Sequence, residues 1–126
     1  MILTCTTQVV AGSISTNVMV PREAMLVGVR LAMYTNTTDD ANGMVIQASL
    51  SGNAFTGVGV SDQILMTLLG ANNEDAILGG NGFVQLNDFN PIPAAYMRPM
   101  SKVYLHLFNI AGTSYGSMQV YLQEIQ

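Results

Sequence analysis

Apolar and polar residues alternate with a period of two along most of this chain. Between Met25 and Thr35 the odd positions are apolar up to position 33, whereas the even positions mix apolar, small and charged side chains. The segment Met44–Leu50 repeats the pattern, with Gln47 and Ser49 on its polar side. Because successive side chains of a β-strand point to opposite faces of a sheet, both segments are predicted to be strands whose apolar sets face a core.

Six further segments have the alternation or the β-branched and aromatic content of strands. They are Leu3–Val10, Ile14–Val20, Phe55–Val60, Phe83–Phe89, Lys102–Ile110 and Ser114–Ile125. Short polar segments rich in glycine and asparagine separate the strands and are predicted to be turns. These turns are Asn36–Gly43, Ser51–Asn53, Gly70–Asn73, Gly79–Gly82 and Ala111–Thr113. The last two strands are therefore expected to pair as a hairpin across a short glycine-containing loop.

Two segments depart from this simple pattern. Ser61–Leu69 is a candidate for one short helix, because Ser61 or Asp62 is a suitable N-cap and apolar residues follow at helical spacing. A strand is the alternative there, since the period of a short apolar run does not decide between the two. Prolines at positions 91, 93 and 99 bracket Ile92–Met100. This segment is predicted to be an extended connection between sheets, because proline cannot donate to an inner ladder.

Eight or so short strands separated by polar turns predict an all-β domain. The length of 126 residues fits one domain covering residues 1–126. We expect a two-sheet antiparallel β-sandwich that is jelly-roll-like, with another Greek-key sandwich as the alternative and at most one short helix. A single cysteine cannot form an internal disulfide, but a chain of this size can bury a sufficient core without one.

The chain carries few charges, which narrows its partners. Only 10% of its residues are Asp, Glu, Lys or Arg, against about 25% in ordinary domains. Neutral polar residues and nine Met are abundant instead, as in the cores of protein–protein interfaces. Four scattered basic residues in a chain of net charge −4 argue against nucleic-acid and polybasic membrane binding. No basic n-region of a signal peptide and no membrane-spanning apolar run is visible.

Residues that could carry catalysis are few. His106, the only histidine, lies in the middle of the predicted strand segment Tyr104–Phe108, and the sequence indicates no nucleophile or carboxylate beside it. Cys5 is predicted to lie on the same side of its strand as Leu3 and Val9, without a basic neighbour to activate its thiol. We therefore expect His106 to be a structural or interface residue, Cys5 to be a small buried residue, and the chain not to be an enzyme.

The sequence also predicts no metal and no cofactor. Asp39–Gly43 and Asn72–Asp75 are acidic loops that offer oxygen ligands for calcium, but neither has the ligand spacing of an EF-hand. None of the eight acidic residues stands out as a glycosidase pair. The glycines of Gly57–Gly59 and Gly79–Gly82 are not followed by the Gly-Lys-Ser/Thr end of a phosphate loop. Solvated turns and strand bends are the expected structures.

Aromatic side chains offer the main candidate contact surface. Tyr104, Phe108 and Tyr121 are predicted to lie on the face of the final hairpin opposite its apolar stripe. They form either a second layer of core or an exposed strip for protein contacts. The predicted interface consists of Tyr104, His106, Phe108, Tyr121, Tyr96 and Met97.

Several features of the sequence together resemble those of a known class of proteins. They are a predicted strand that begins at once, at Met1–Thr6, predicted strands rich in Ser, Thr, Asn and Gln, low charge, and the closing segments Val103–Asn109 and Gln119–Gln126. In these features the chain resembles small virion proteins of tailed bacteriophages. The resemblance implies a jelly-roll-like capsid decoration (cement) protein, often a homotrimer. It also implies a location on the capsid surface of the virion, after synthesis in the cytoplasm of the infected host.

We therefore expect a viral structural protein that acts by protein–protein contacts, with itself and a major capsid protein as partners. Burial of apolar surface, at about 25 cal/mol per Å², and multivalent docking would hold it in place. The alternative is a carbohydrate- or receptor-binding module such as a tail-fibre tip, with Tyr34, Tyr96 and Tyr115 as loop contacts. A sugar hydrolase is a third hypothesis.

Overall fold

The fold was analysed in a computed structural model, which describes residues 1–35, 45–53, 64–69, 77–79, 82–86 and 90–125. All regular secondary structure in these ranges is β-strand, which confirms the all-β prediction. The strands are β1 (Ile2–Met19), β2 (Ala24–Thr35), β3 (Val45–Ser49), β4 (Ile64–Leu69), β5 (Ile77–Gly79), β6 (Gly82–Leu86), β7 (Asn90–Met97) and β8 (Lys102–Glu124). They pair in antiparallel fashion within one sheet that curves into a half-barrel.

A ribbon of two long strands organises the sheet. β1 has 18 residues and β8 has 23, and they pair from Ile2 opposite Tyr121 to Met19 opposite Lys102. The other edge of β8 is shared, because β2 pairs with its C-terminal half and β3 with its N-terminal half. The other edge of β2 pairs with β7 in its N-terminal half and with β6 at its C-terminal end. β5 pairs with β6, and β4 pairs with β3.

The ribbon bends near its middle, at the level of Ala11 and Gly12. These two residues have positive φ angles of 49° and 111°, which turn β1 away from a straight path. The pairing register shifts at the same place: from Ile14 to Val10, β1 advances four residues, whereas the facing part of β8 advances six. Extra residues on one strand are the signature of β-bulges, which bend and twist a ribbon.

The bend brings the two halves of β8 face to face. Leu107 and Gly116 are nine positions apart in the sequence, which would separate them by about 30 Å along a straight strand. A Cβ atom placed on Gly116 would nevertheless lie 2.6 Å from Cδ2 of Leu107. The core-facing positions also change from odd, at Val103 and Leu105, to even, at Met118 and Val120. One strand therefore lines the core from both sides.

The prediction that the last two strands form a hairpin is wrong. Residues 102–124 form the single strand β8, and the predicted turn Ala111–Thr113 lies inside it. Likewise Leu3–Val10 and Ile14–Val20 are two halves of β1. The physical reason is that each half of β8 pairs with a half of β1, so the glycine-containing segments of both strands serve as bends and not as chain reversals.

A bulge also changes the predicted face of β2. Its pairing with both β7 and β8 shifts register between Leu26 and Gly28. The core-facing residues are therefore Ala24 and Leu26 before the shift and Val29 and the odd positions after it. The prediction that Met25 and Val27 face the core is wrong, because a bulge moves every earlier side chain to the opposite face.

Of the two alternatives for Ser61–Leu69, the strand is confirmed and the short helix is wrong over the described part, since Ile64–Leu69 is β4. Pairing with β3 supplies the backbone partners that a lone apolar run lacks, so tertiary contacts decide its structure. The segment after Pro91 is extended as predicted, but it is strand β7 and not a connection. Among the described strands β7 pairs only with β2, an edge position that suits its prolines.

Both sides of β3 are covered. Gln47 and Ser49, predicted on a polar side, are as buried as Ile46 and Ala48. The bend predicted at Ser51–Asn53 is present and is held by hydrogen bonds from the backbone N–H groups of Ser51 and Asn53 to the hydroxyls of Ser49 and Ser51. Gly79 pairs with Gly82 where β5 and β6 meet, and the middle of the predicted turn, residues 80 and 81, lies outside the described residues. The predicted strand Phe55–Val60, the loops Asn36–Gly43 and Gly70–Asn73, and the acidic segments lie outside the described residues.

The core lies inside the curve of the sheet, between the two halves of the ribbon. Its largest fully buried side chains are aliphatic or methionine, with two polar exceptions. They include Leu26, Leu31, Met33, Ile46, Leu105, Leu107, Met118, His106, Gln47 and Val20. No helix of the length and apolarity required to cross a bilayer occurs in the part of the chain that the structure describes.

Candidate functional sites: an open strand edge and a basic groove

The first candidate site is the outer edge of β1. One edge of this strand pairs with β8 over its whole length, and no described strand pairs with the other edge. An unpaired strand edge presents a row of backbone donors and acceptors that another chain can use. At 18 residues, β1 is long compared with the usual strand of about 5–6 residues. The described structure therefore leaves an unusually long edge available for pairing.

The side chains of β1 do not protect this edge. Natural edge strands commonly carry Lys, Pro or short lengths that prevent unwanted pairing, but Ile2–Met19 contains no charged residue and no proline. Exposed apolar side chains are concentrated here instead, including Val10 at 69% and Ile2 at 56% exposure, with Ile14 and Met19 also exposed. The bend at Ala11–Gly12 is its one protective feature, and it divides the edge into two straight segments.

The second candidate site is a groove that we call the basic groove, an open cavity of about 530 Å³ where β7 ends and β8 begins. Its lining includes Leu50, Tyr96, Arg98, Met100, Lys102 and Tyr104. Arg98 and Lys102 are two of the chain's four basic residues. Neither side chain has an ion-pair partner within the described ranges. Apart from Leu50, the lining residues lie between Tyr96 and Tyr104 in the sequence. The sequence did not reveal the groove, because the turn that shapes it is held by hydrogen bonds to the distant Val20.

The turn that forms the floor of the basic groove is firmly held. The backbone N–H of Met100 donates to the carbonyl of Val20 at 2.7 Å, and the N–H of Val20 donates to the carbonyl of Ser101 at 2.8 Å. The hydroxyl of Ser101 donates to the carbonyl of Arg98 at 2.6 Å. These bonds hold Met100 at a φ of 70°, a left-handed conformation that costs a non-glycine residue roughly 1–2 kcal/mol.

Tyr96 is fixed at the rim of the groove by its hydroxyl, which donates to Oε2 of Glu23 at 2.8 Å. The pKa of Tyr96 is raised, first by this hydrogen bond to a carboxylate, while the nearby Arg98 guanidinium acts in the opposite direction. The residue is 53% exposed. An oriented aromatic surface therefore stands next to a cation at the groove.

His106 is a buried structural connector. Its side chain is only 1% exposed, and Nε2 donates to the backbone carbonyl of Ser51 at 2.8 Å. Nδ1 lies 2.6 Å from Oγ of Ser15, which donates to it when the ring is neutral. The imidazole thus links β1, β8 and the bend after β3, and the Tyr104 ring stacks parallel to it at 6.0 Å.

The six residues predicted as an interface fall into different environments. Tyr96, Met97 and Tyr104 meet in the basic groove, although Met97 is buried, while Tyr104 and Tyr121 are partly buried. His106 and Phe108 are also buried within the chain. The hydroxyl of Tyr121 donates to Oε1 of Gln119. A shared contact surface of all six is therefore not formed, because the loop at Ser51 covers part of that face of β8.

The three tyrosines predicted as loop contacts are strand residues. Tyr34 of β2 stands opposite Tyr115 of β8, and Tyr96 belongs to β7. Tyr115 is exposed. The prediction that they lie in loops is wrong, because β2, β7 and β8 extend through segments that look like loop margins in the sequence.

Cys5 is partly buried on the same side of β1 as Leu3 and Val9, as predicted. Burial raises the pKa of its thiol, and a backbone hydrogen bond with Met118 opposes this only in part. A thiol with a raised pKa is a poorer nucleophile at neutral pH. No cluster of three or more His, Cys, Asp or Glu side chains that could hold a metal ion is found among the residues that the structure describes.

No protein-family model, curated protein or solved structure matches this chain.

Proposed function

We propose that this chain is a structural protein that assembles through protein–protein contacts, and more specifically a capsid decoration (cement) protein of a virus particle. The observation that carries the proposal is the outer edge of β1, which is long, carries no charged residue and is paired with none of the described strands. Pairing of such an edge with a strand of another chain supplies backbone hydrogen bonds, while alternate side chains supply specificity. A second copy of this chain and a major capsid protein are the proposed partners.

The composition of the ribbon supports this role. Between Lys102 and Glu124, β8 has no charged residue, as is also true of β1. Partners that bury this ribbon would therefore not have to desolvate charges, whose burial costs several kcal/mol each when they are unpaired. A two-sheet, jelly-roll-like sandwich remains the proposed finer arrangement, and the face-to-face packing of Leu107 on Gly116 supports it. A homotrimer on the capsid surface is part of the same proposal.

Self-assembly is tested by substituting Val10→Lys and measuring molar mass by size-exclusion chromatography with light scattering. The added ammonium group would stand in the middle of the β1 edge, where pairing must desolvate it. The wild-type chain is expected to be an oligomer and the variant a monomer. Ile125→Lys is the matched control, since it also replaces an exposed aliphatic side chain with Lys but lies outside β1. A wild-type chain that is monomeric at every concentration would contradict the proposal.

The virion role requires a further experiment. In the genome that encodes this chain, neighbouring genes for a major capsid protein or a terminase are expected. Capsids assembled from that neighbouring capsid gene should then bind the chain saturably in co-sedimentation, and Val10→Lys should weaken the binding if the β1 edge also contacts the capsid. Saturable binding that Val10→Lys leaves unchanged would keep the capsid role but remove β1 from it. Absence of binding by the wild-type chain would rule out a decoration protein.

A carbohydrate- or receptor-binding module is the second candidate function, and the basic groove is the observation that favours it. Small-ligand sites are concave and combine apolar or aromatic walls with a few polar groups, as the walls of this groove do. We propose no catalytic activity for either the structural role or the binding role. In support, both ring nitrogens of His106 are already engaged by Ser15 and Ser51 within a buried network.

A further inference from the structure

We infer that the basic groove binds an acidic saccharide, with a sugar carboxylate held by Arg98 and Lys102 and the sugar ring placed against Tyr96. The inference names the ligand class for the second candidate function and rests on that function. It is independent of the β1 edge, which carries the first. The groove volume of about 530 Å³ lies within the range of about 300–1,000 Å³ typical of small-ligand sites.

The charge of the groove selects an anion. The chain as a whole has a net charge of −4, yet Arg98 and Lys102 both line this one cavity. Neither forms an ion pair with a carboxylate of the described residues, so each has donors available for a ligand, while the Glu23 carboxylate at the rim accepts the hydrogen bond of Tyr96. Arginine offers a planar pair of N–H groups that matches a carboxylate, whereas lysine adds a compact point charge. Together they favour one or two acidic groups.

The tyrosines favour a sugar ring over a simple ion. Tyr96 is about half exposed, and its hydroxyl donates a hydrogen bond to Glu23, so the orientation of its side chain is set before a ligand arrives. An amphipathic ring of this kind packs on the apolar face of a sugar while nearby polar groups bond to hydroxyls. Tyr104 supplies a second aromatic wall, held in place by its parallel contact with His106.

The backbone strain at Met100 supports a binding role for this turn. Met100 is 66% exposed and is held at a φ of 70° by hydrogen bonds to Val20. Residues in such conformations concentrate at ligand sites, where surrounding structure enforces them. The rigid turn fixes the backbone between Arg98 and Lys102, so that less conformational freedom is lost when a ligand binds.

Other anionic partners fit the groove less well. Nucleic-acid binding relies on clusters of basic residues along a phosphate backbone, and only two cations line this cavity. An acidic peptide would pair with the charges of Arg98 and Lys102, but it would leave the exposed surface of Tyr96 without a sugar ring to pack against it.

The inference is tested by titrating the full chain, labelled with ¹⁵N, with trigalacturonate and following backbone amide shifts. Saturable shifts are expected at Tyr96, Arg98, Met100 and Lys102. Arg98→Gln should weaken binding about tenfold, the loss expected for a charge-assisted hydrogen bond. Arg30→Gln is the matched control, because Arg30 is an exposed arginine of β2 that does not line the groove. It should leave the affinity unchanged.

Neutral galactotriose and pentaglutamate are the comparison ligands. Binding of trigalacturonate alone supports the inference. Equal binding of galactotriose would overturn the preference for an acidic sugar while keeping the second candidate function. Equal binding of pentaglutamate, or equal losses in Arg98→Gln and Arg30→Gln, would show that charge alone is recognised and overturn the inference. Absence of amide shifts in the groove with all three ligands would overturn both the inference and the second candidate function.

Discussion

Replacement of Gly116 by alanine tests the central feature of the fold, the contact between the two halves of β8. An added Cβ would lie 2.6 Å, 2.8 Å and 3.0 Å from Cδ2, Cδ1 and Cγ of Leu107, well inside the 3.5–4.0 Å at which carbon atoms attract each other. Leu107 is fully buried, so moving its side chain aside requires the surrounding core to repack.

The sign of the effect decides between a bent and a straight β8. Within an ordinary strand, Gly→Ala stabilises by roughly 0.5–1 kcal/mol, because alanine loses less backbone freedom on folding. Forcing an extra methyl group into a packed core costs about 1–3 kcal/mol. The second effect is larger, so we expect Gly116→Ala to destabilise the protein by about 1–2 kcal/mol. A loss of this size leaves a domain of ordinary stability folded.

The measurement is urea unfolding followed by far-ultraviolet circular dichroism, with free energies from linear extrapolation. Gly52→Ala is the control, because its Cβ would lie 3.5 Å from Cζ of Tyr104, an ordinary contact; it should be neutral or stabilising by up to about 1 kcal/mol. Leu107→Ala removes all three overlapping atoms at a cost of about 2–5 kcal/mol. In that background Gly116→Ala should become neutral or stabilising. Stabilisation by Gly116→Ala in the wild-type background would refute the face-to-face packing.

Two further predictions concern polar groups on the ribbon. Ser15→Ala removes the hydroxyl that bonds to Nδ1 of buried His106 and should lower the free energy of unfolding by about 1 kcal/mol in urea. The control is Ser13→Ala, on the same exposed stretch of β1, which should change it by less than about 0.5 kcal/mol. Equal effects of the two substitutions would contradict a stabilising bond between Ser15 and His106. Burial raises the pKa of Cys5 above its usual 9.0, so the folded state holds this proton more tightly than the unfolded state. The resulting stabilisation is complete below pH 9 and is lost as the pH rises through the folded pKa. The difference in free energy of unfolding between wild type and Cys5→Ser should therefore shrink above pH 9 under reducing conditions. A difference that is constant with pH would show that the thiol titrates alike in the folded and unfolded states.

Local alternation in the sequence determined the all-β class, the location of β2 and β3 and the inward side of Cys5. It could do so because side-chain alternation is a property of the strand itself. The turn residues Ser51–Asn53 were also identified, since turn chemistry acts over two or three residues.

Pairing and packing decided the rest. The sequence Ala111–Thr113 is suitable for a turn, but β1 lies alongside both halves of β8 and converts it into a bend. Similarly, the apolar run Ile64–Leu69 became a strand because β3 lies beside it, and a bulge reversed the face of Met25. The open edge of β1 and the meeting of Arg98 with Tyr104 in one groove depend on contacts between residues far apart in the chain. Such contacts leave no periodic trace in the sequence, because they arise only when the whole sheet curves around its core.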